Sequence, residues 1–260
     1  MAKLQCMAKI TAVTPLAQGI ISMWMLAPEI VSQAVPGQFI SLYSQNQDTL
    51  LPRPISLCEL NRKEGTLRIV FRIVGTGTKE FSKRKPGDEI RILGPLGNGF
   101  PLTGCPKGKQ AVLVGGGIGI PPLLQLSKEL EEAVTVVVGY RDSDTFLQKE
   151  FERSADRVVI ATEDGSLGTK GNVLDAIRRE GVCGDVIYAC GPAPMLRSVK
   201  AWGQENQIPA WLSMEEKMAC GVGACLACVC QSTGVDSHSN VHNKRVCKDG
   251  PVFLSTEIEL

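Results

Sequence analysis

The stretch VLVGGGIGIPPLLQL, residues 112–126, joins an apolar run to an amphipathic segment through a glycine-rich turn. The apolar run predicts a strand that ends in the glycines 115–117, and after Gly119 two prolines open the next segment, as is common in the first turn of a helix. Such a turn lets the backbone approach a pyrophosphate at the helix N-terminus, although tight packing alone also produces it. Because Ile120 stands where a third glycine is expected, the ordinary G-x-G-x-x-G fingerprint is not met.

The residues after this turn predict a parallel α/β sheet. Four further runs, VTVVVGY, RVVIAT, DVIYACG and PAWLSM, are rich in β-branched and other apolar residues, which is typical of strands covered on both faces. Amphipathic segments such as PAPMLRSVKAWGQEN alternate with them. The run DVIYACG ends in Cys190, Gly191 and Pro192, where a ligand crevice is expected at the carboxyl ends of the strands.

The residues before about position 100 have a different pattern of apolar and turn-forming residues. Short β-rich runs, MAKITAV, GIISMWML, GQFISLY, TLRIVFRIV and DEIRILG, are separated by proline, glycine and polar turns, and predict an antiparallel barrel or sandwich. GTKEFSKRK, residues 77–85, is the one helix predicted here. In LLPRPISL, residues 50–57, prolines flank Arg53. Its guanidinium suits a phosphate, and an exposed arginine on an edge strand is the alternative.

Composition excludes some classes of function. The 260 residues include 28 Lys and Arg and 27 Asp and Glu, which gives a formal net charge of +1. The chain therefore lacks the excess of positive charge that is typical of proteins that bind nucleic acid or an anionic membrane. The start, MAKLQCMAKITAV, has no basic segment followed by a long apolar run. We therefore expect a cytoplasmic protein that contacts no membrane, in which the ten cysteines are thiols or metal ligands.

Four cysteines near the C-terminus have the spacing of a metal centre. Cys220, Cys225 and Cys228 follow C-x4-C-x2-C, and Cys247 lies eighteen residues beyond Cys228, which is the plant-type arrangement for a [2Fe-2S] cluster. A structural zinc site is the weaker alternative, because zinc ligands usually come as C-x2-C or Cys/His pairs. Cys230 is expected to be a bystander. His238 and His242 lack the pairing of a Rieske centre and are expected in a solvated loop.

These motifs resemble the ferredoxin reductase family of flavoproteins along nearly the whole chain. The Arg-Pro-x-Ser strand, the GGGxGxPP turn and the CGPxPM strand end carry this resemblance. GPLGNGFP, MEEKMACGVGACLACVC and VCKDGPVF are in addition similar to the electron-transfer subunits of NAD-dependent, type B dihydroorotate dehydrogenases. The resemblance implies a multidomain β plus α/β chain, with an FAD-binding antiparallel β-barrel domain at 1–101, an NAD-binding α/β domain at 102–213 and a [2Fe-2S] domain at 214–260.

The resemblance also implies the site residues. The FAD and NAD residues are Arg53, Pro54, Ile55, Ser56, Val70, Phe71, Arg72, Gly77, Thr78, Gly115, Gly116, Gly117, Gly119, Gly191 and Pro192, and the cluster ligands are Cys220, Cys225, Cys228 and Cys247. It places Cys190 near the meeting point of flavin and nicotinamide, although this cysteine could equally fill a strand end. Glu163 and Asp164 end RVVIAT, where NADP-using relatives often carry Ser and Arg, so two carboxylates there favour NAD. A charged turn in solvent is the alternative.

By the same resemblance, the chain passes electrons to NAD⁺ from an FMN-containing catalytic subunit that oxidises dihydroorotate for pyrimidine (UMP) biosynthesis. Two copies of each subunit would form a heterotetramer. The motifs leave three alternative functions open. The chain could be a subunit of an NAD(P)H:acceptor reductase of the ferredoxin or sulfide dehydrogenase type, a non-enzymatic iron-sulfur redox sensor, or an interaction protein whose C-terminal segment is stabilised by zinc.

Overall fold

The computed structural model describes residues 3–46, 49–235 and 240–260, and its N-terminal part is a closed antiparallel barrel. Six strands of the described chain form it in the order β1-β2-β5-β4-β3-β6. Their bounds are β1 Leu4–Ala17, β2 Ile20–Leu26, β3 Phe39–Leu42, β4 Arg53–Asn61, β5 Thr66–Arg72 and β6 Glu89–Leu96. Pairing of β1 with β6, from Leu4 opposite Gly94 to Lys9 opposite Glu89, closes the barrel and removes its open edges. The predicted antiparallel β domain is confirmed as a barrel.

Two short helices connect barrel strands. Helix α2, Thr76–Phe81, confirms the predicted helix but ends before the basic residues that follow it. Helix α1, Pro28–Gln33, was not predicted, so the expectation of a single helix in this region is wrong. Proline opens α1 and its buried Ile30 and Val31 face the barrel core, and this β-branched pair resembles a strand when read in sequence alone.

The middle of the chain forms a parallel sheet, as predicted, with one antiparallel strand added at its edge. Within the described residues the order is β10-β9-β8-β7-β11-β12-β15. The strands are β7 Gln110–Gly116, β8 Ala133–Tyr140, β9 Arg157–Thr162, β10 Thr169–Lys170, β11 Val186–Cys190, β12 Ala210–Ser213 and β15 Val252–Leu254. The accompanying helices are α3 Pro122–Glu129, α4 Gln148–Phe151, α5 Val173–Arg179 and α6 Ala193–Glu205. Strand order reverses between β7 and β11, so a ligand crevice is expected at their carboxyl ends.

The C-terminal segment contains more regular structure than its composition indicates. Strands β13, Val229–Gln231, and β14, Asn243–Arg245, form a small antiparallel sheet. The last strand, β15, pairs with β12 and sets Ser213 opposite Val252. The segment between them therefore leaves and rejoins the large sheet at the same point. No helix among the described residues is long and apolar enough to cross a membrane.

Candidate functional site between the barrel and the sheet

A cavity of about 1150 Å³ lies between the barrel and the carboxyl ends of the sheet strands, and it gathers most of the predicted residues. Its lining includes Arg53, Pro54, Ile55, Ser56, Val70, Phe71, Arg72, Thr78, Gly116, Gly117, Gly119, Glu163, Cys190, Gly191 and Pro192. Gly77, Gly115 and Asp164 were predicted with them and are not among the lining residues. A volume at the upper end of the usual range for ligand pockets suits two nucleotide cofactors that meet end to end.

The glycine-rich turn has close contacts that explain its composition. A methyl group at Gly119 would lie 2.4 Å from the carbonyl oxygen of Cys190, so the turn after β7 and the end of β11 touch backbone to backbone. Gly117 has a φ of +53°, and a methyl group there would lie 3.4 Å from the Arg72 guanidinium of the barrel. Gly115 serves packing, because a methyl group on it would meet Ile120 at 3.0 Å.

The barrel side of the cavity has two arginines and a hydroxyl-stabilised turn. The Arg53 side chain lies beside Gly77, where a methyl group would be 3.1 Å from Arg53 Nε. Thr78 Oγ1 accepts hydrogen bonds from the N–H groups of Val74 and Gly75 at 3.0 and 3.1 Å. Arg53 and Arg72 thus present cationic groups in a wall that is otherwise largely apolar, which fits an anionic dinucleotide with a planar ring system.

Ion pairs and a buried hydrogen bond hold the two halves of the cavity together. Glu59 on β4 binds both Arg68 of the barrel and Lys128 of α3, each at 2.5 Å. The N–H of Leu60 donates to Gln125 Oε1 of α3 at 2.8 Å. Because α3 starts directly after the glycine-rich turn, these contacts fix the turn relative to the barrel.

Cys190 is 9% exposed and lies at the end of β11, between Gly115 of β7 and Ser213 of β12. Burial raises the pKa of its thiol to about 12; a hydrogen bond with Ser213 opposes the rise and the charge of Glu215 adds to it. The thiol is therefore neutral near pH 7 and serves as a small, weakly polar wall of the cavity.

The two carboxylates after β9 lie in different surroundings. Glu163 lines the cavity together with Arg141 of the neighbouring strand end. Asp164 Oδ1 instead accepts hydrogen bonds from the hydroxyl and the N–H of Ser166, at 2.7 and 2.9 Å, and these hold the pKa of Asp164 below its usual value. Of the predicted pair, only Glu163 lines the cavity.

The loop that begins at Cys220 is built to surround an anionic group. Gly221 and Gly223 have φ values of +67° and +87°, which turn the loop back on itself. The N–H groups of Val222 and Ala224 donate to Cys220 Sγ at 3.4 and 3.3 Å. Partial burial alone would raise the pKa of the Cys220 thiol, but these hydrogen bonds, with those from Cys225, lower it to about 6.

The last cysteine comes from a separate turn. The N–H of Cys247 donates to Cys228 Sγ at 3.4 Å, and both residues are buried, whereas Cys225 is exposed. Burial, together with the neighbouring Cys228, raises the pKa of the Cys247 thiol to about 12. Asn98 of the barrel donates to the carbonyl oxygens of Lys248 and Asp249 at 3.2 and 2.9 Å, so this turn is docked on the barrel.

The cysteine set fits an iron-sulfur cluster in its chemistry. Thiolate ligands of a cluster are stabilised by backbone N–H donors of the kind seen at Cys220 and Cys228. Over residues 3–46, 49–235 and 240–260, no group of three or more His, Cys, Asp or Glu side chains is arranged to hold a metal ion, so the structure does not bring the four cysteines together as a ligand set. Cys230 is buried on β13 opposite Lys244. His242 is exposed, and His238 lies outside the described residues.

Several cavity residues were not predicted. Residues 215–218, the sequence EEKM before the first cluster cysteine, line the cavity, as do Tyr140, Arg141 and Asn172. Residues 215–218 come just after β12, Tyr140 and Arg141 lie at the end of β8, and Asn172 comes just after β10. That location is the signal that could have found them, because ligands bind at the carboxyl ends of parallel strands.

Family models match two parts of the chain. Residues 215–259 match the iron-sulfur cluster binding domain of dihydroorotate dehydrogenase B, and residues 113–201 match the oxidoreductase NAD-binding domain. Both matches agree with the placement of the cysteine segment and the glycine-rich turn.

Curated relatives match nearly end to end. The dihydroorotate dehydrogenase B (NAD(+)) electron transfer subunit of Listeria innocua is 44% identical over 261 residues, covering 99% of this chain and 100% of the relative. The subunit of the same name from Geobacillus thermodenitrificans is 44% identical over 241 residues, covering 90% and 91%.

Solved structures share the fold. The NADH-dependent reduced ferredoxin-NADP oxidoreductase structure has a TM-score of 0.85 and 29% identity, and covers 98% of this chain and 90% of that one. A ferredoxin NADP+ reductase from Neisseria gonorrhoeae with bound FAD and NADP has a TM-score of 0.62 and 19% identity, over 77% of this chain and 91% of that one. The second likeness concerns the fold alone.

Proposed function

Because the chain belongs to the family of electron transfer subunits of dihydroorotate dehydrogenase B, we propose that it passes electrons from a dihydroorotate-oxidising subunit to NAD⁺ in pyrimidine biosynthesis. The observation that carries the proposal is the contact between the cysteine loop and the barrel. A methyl group at Gly221, next to Cys220, would lie 3.0 Å from Ser41 Oγ on β3. Phe39 of the same strand lines the cavity, so the cysteine segment and the cavity share one wall.

The cavity residues support FAD and NAD as its occupants. When bound, FAD exchanges a hydride with nicotinamide and single electrons with an iron-sulfur centre. On the barrel side Arg53 and Arg72 supply the positive charge that a pyrophosphate needs, while Pro54 to Ser56 form the adjoining wall. On the sheet side the backbone of Gly116 to Gly119 is open to a second pyrophosphate.

A carboxylate supports the preference for NAD. Glu163 lies where the cavity meets the end of β9, and it can accept hydrogen bonds from ribose hydroxyls. The same negative charge repels the additional phosphate of NADP. Cys190, buried and neutral, lines the cavity without ionising.

Cys220, Cys225, Cys228 and Cys247 are the proposed ligands of the [2Fe-2S] cluster. Their backbone donors stabilise negative charge on the sulfur atoms, and the left-handed glycines allow the loop to wrap closely. The loop is open on one side, because Cys225 and the neighbouring Leu226 are exposed, Leu226 to 56%.

That exposed side supports the docking of a partner. Leu226 and Val229, exposed to 56% and 36%, form an apolar surface beside the cysteine loop, and electrons have to enter through a short path. We assign this surface to the FMN-containing catalytic subunit, with two copies of each subunit in a heterotetramer. None of the ten cysteines, all of which lie among the described residues, forms a disulfide, which supports a cytoplasmic location.

A second candidate function is a subunit of an NAD(P)H:acceptor reductase. The observation that favours it is the 0.85 TM-score to the NADH-dependent reduced ferredoxin-NADP oxidoreductase structure over 98% of this chain. In that case the exposed cysteine loop would meet a ferredoxin.

Anaerobic NADH formation tests the proposal. Dihydroorotate, NAD⁺ and the FMN-containing catalytic subunit are combined with and without this chain, both proteins carrying their cofactors. We expect NADH to form only when the chain is present. Absence of NADH, together with NADH-dependent reduction of a ferredoxin by the chain, would replace the proposal with the second candidate.

A further inference from the structure

Arg245 lies between the two cysteine segments and contacts both of them. Its Nε and Nη2 atoms donate to the two carboxylate oxygens of Asp249 at 3.0 and 3.2 Å. Its Nη1 atom donates to the carbonyl oxygen of Gly223 at 3.3 Å. Gly223 belongs to the loop that starts at Cys220, and Asp249 belongs to the turn that starts at Cys247. One guanidinium therefore joins the first cysteine segment to the last.

The turn after Cys247 is built around the backbone of the same residue. The N–H groups of Lys248 and Asp249 donate to the carbonyl oxygen of Arg245 at 3.0 and 2.7 Å, and the Arg245 N–H donates to Asp249 Oδ2 at 2.8 Å. A methyl group at Gly223 would lie 2.7 Å from Lys248 Cδ, so the two segments touch where the guanidinium joins them. The side chain and the backbone of Arg245 therefore both contribute to the contact between the segments.

The chemistry of this contact is specific to arginine. A planar guanidinium can bind both oxygens of a carboxylate and still reach a carbonyl group, whereas lysine supplies the charge without the fork. The Arg245 and Asp249 side chains are 22% and 26% exposed, so water screens the pair only in part.

We propose that Arg245 is a positioning residue for the iron-sulfur cluster: it fixes the Cys220 loop relative to Cys247 and, paired with Asp249, balances the charge beside them. The inference rests on the proposed function, which assigns the cysteines to the cluster. Reduction adds a negative charge to the cluster, so nearby charges and hydrogen bonds set its potential. Loss of the guanidinium leaves the Asp249 carboxylate uncompensated and lowers the potential, while loss of the carboxylate removes the negative charge that balances the guanidinium and raises it.

The test uses the full chain with its cofactors and three substitutions, Arg245→Gln, Asp249→Asn and Arg245→Lys. Arg157→Lys is the matched control, because Arg157 Nη2 also donates to a carboxylate and a backbone carbonyl, both of Glu180, at 3.2 and 3.0 Å, away from the cysteines. A redox titration followed by electron paramagnetic resonance gives the cluster potential and signal. Iron release to a chelator, FAD content and thermal unfolding are measured on the same samples.

We expect Arg245→Gln and Asp249→Asn to shift the one-electron reduction equilibrium in opposite directions, each on the order of fivefold for a unit charge in partly screened surroundings. Arg245→Lys should keep the equilibrium near that of the unsubstituted chain but change the resonance signal and release iron about tenfold faster. FAD content and the Arg157→Lys control should not change.

Two results would overturn the inference. One is a cluster potential that moves in the same direction, or not at all, in the two charge-changing variants. The other is parallel loss of FAD, cluster and melting temperature in Arg245→Lys, which would mean that Arg245 only stabilises the fold. If Arg245→Gln binds no cluster, the inference is tested by the cluster potential of Asp249→Asn and by the iron release and resonance signal of Arg245→Lys. Failure of the proposed function is distinct, because it is the absence of NADH formation from dihydroorotate and NAD⁺ by the unsubstituted chain, whereas the inference is decided by the potentials and the iron release of the variants.

Discussion

Replacement of Gly119 by alanine should disrupt the nucleotide half of the cavity through one steric contact. The added methyl group would lie 2.4 Å from the carbonyl oxygen of Cys190, 2.6 Å from its carbonyl carbon and 2.6 Å from the Cα of Gly191. All three neighbours are backbone atoms, which cannot rotate away. Ordinary van der Waals separation begins at 3.4 Å, so the glycine-rich turn and the end of β11 have to move apart by about 1 Å.

This displacement has a cost in stability and in binding. Overpacking of this kind destabilises a protein by about 1–3 kcal/mol. For a chain of this size that corresponds to a fall in melting temperature of roughly 2–10 °C. Because Gly119 lines the cavity and its neighbour Cys190 forms the adjoining strand end, a shift of about 1 Å should also lower kcat/KM for NADH by about tenfold to a hundredfold.

Calorimetry and steady-state oxidation of NADH by an artificial flavin acceptor measure both effects. Gly234→Ala is the control, since among the described residues, its own chain neighbours aside, no atom lies within 4 Å of its added methyl group, and its φ is outside the left-handed region. This control should match the unsubstituted chain in both assays. A Gly119→Ala chain with unchanged melting temperature and unchanged kcat/KM would refute the steric reasoning.

Three further predictions concern single side chains. Glu163→Ser should raise the ratio of kcat/KM for NADPH to that for NADH by about tenfold, since it removes the repelling charge. Asp164→Ser should change this ratio little, because Asp164 accepts a hydrogen bond from Ser166. Equal effects of the two substitutions would contradict this reasoning. Cys225→Ser should abolish electron transfer from the catalytic subunit while sparing NADH oxidation by an artificial flavin acceptor, and equal loss of both activities would argue against the cluster as the entry point. With a pKa of about 12, only about one Cys190 thiol in ten thousand is ionised at pH 8, and this fraction rises as the pH rises towards 12. After iodoacetamide treatment at pH 8, mass spectrometry should therefore find Cys190 unmodified and the exposed Cys183 modified. Rapid modification of Cys190 would show that it is accessible and ionised.

The barrel and the parallel sheet could be predicted because their patterns are local. Alternating and continuous apolar runs identified most of the strands, and glycine and proline marked their ends. The strand patterns alone left a barrel and a sandwich open, and only the family resemblance implied the barrel, because β1 pairs with β6 across some eighty residues and neither strand carries a signal for its partner. Helix α1 was missed for a different reason, since its buried Ile30 and Val31 have the composition of a strand.

Several of the residues predicted from glycine or proline patterns line the cavity. Gly116, Gly117 and Gly119 line the cavity, as expected from a turn whose backbone has to remain accessible. Gly115 belongs to the same run, yet it makes room for Ile120, and no pattern in the sequence separates these two uses of glycine. Charged residues such as Arg141 and Glu215 belong to no motif, and their position just after predicted strands is the only signal in the sequence that points to the cavity.

Strand β15 returns the chain to the large sheet, which explains how a cysteine-rich segment with few strand signals can lie beside the cavity. Ser213 and Val252 are paired neighbours on the sheet, so the segment between them is a loop whose two ends are fixed at one point. Ser213, Met214 and Pro251 at those ends also line the cavity. The two ends of the loop are thereby fixed beside the proposed flavin site by the short strand β15, which composition did not reveal. The order of the loop itself then depends on its internal contacts, among them the Cys247 N–H bond to Cys228 Sγ and the Arg245 contacts to Gly223 and Asp249.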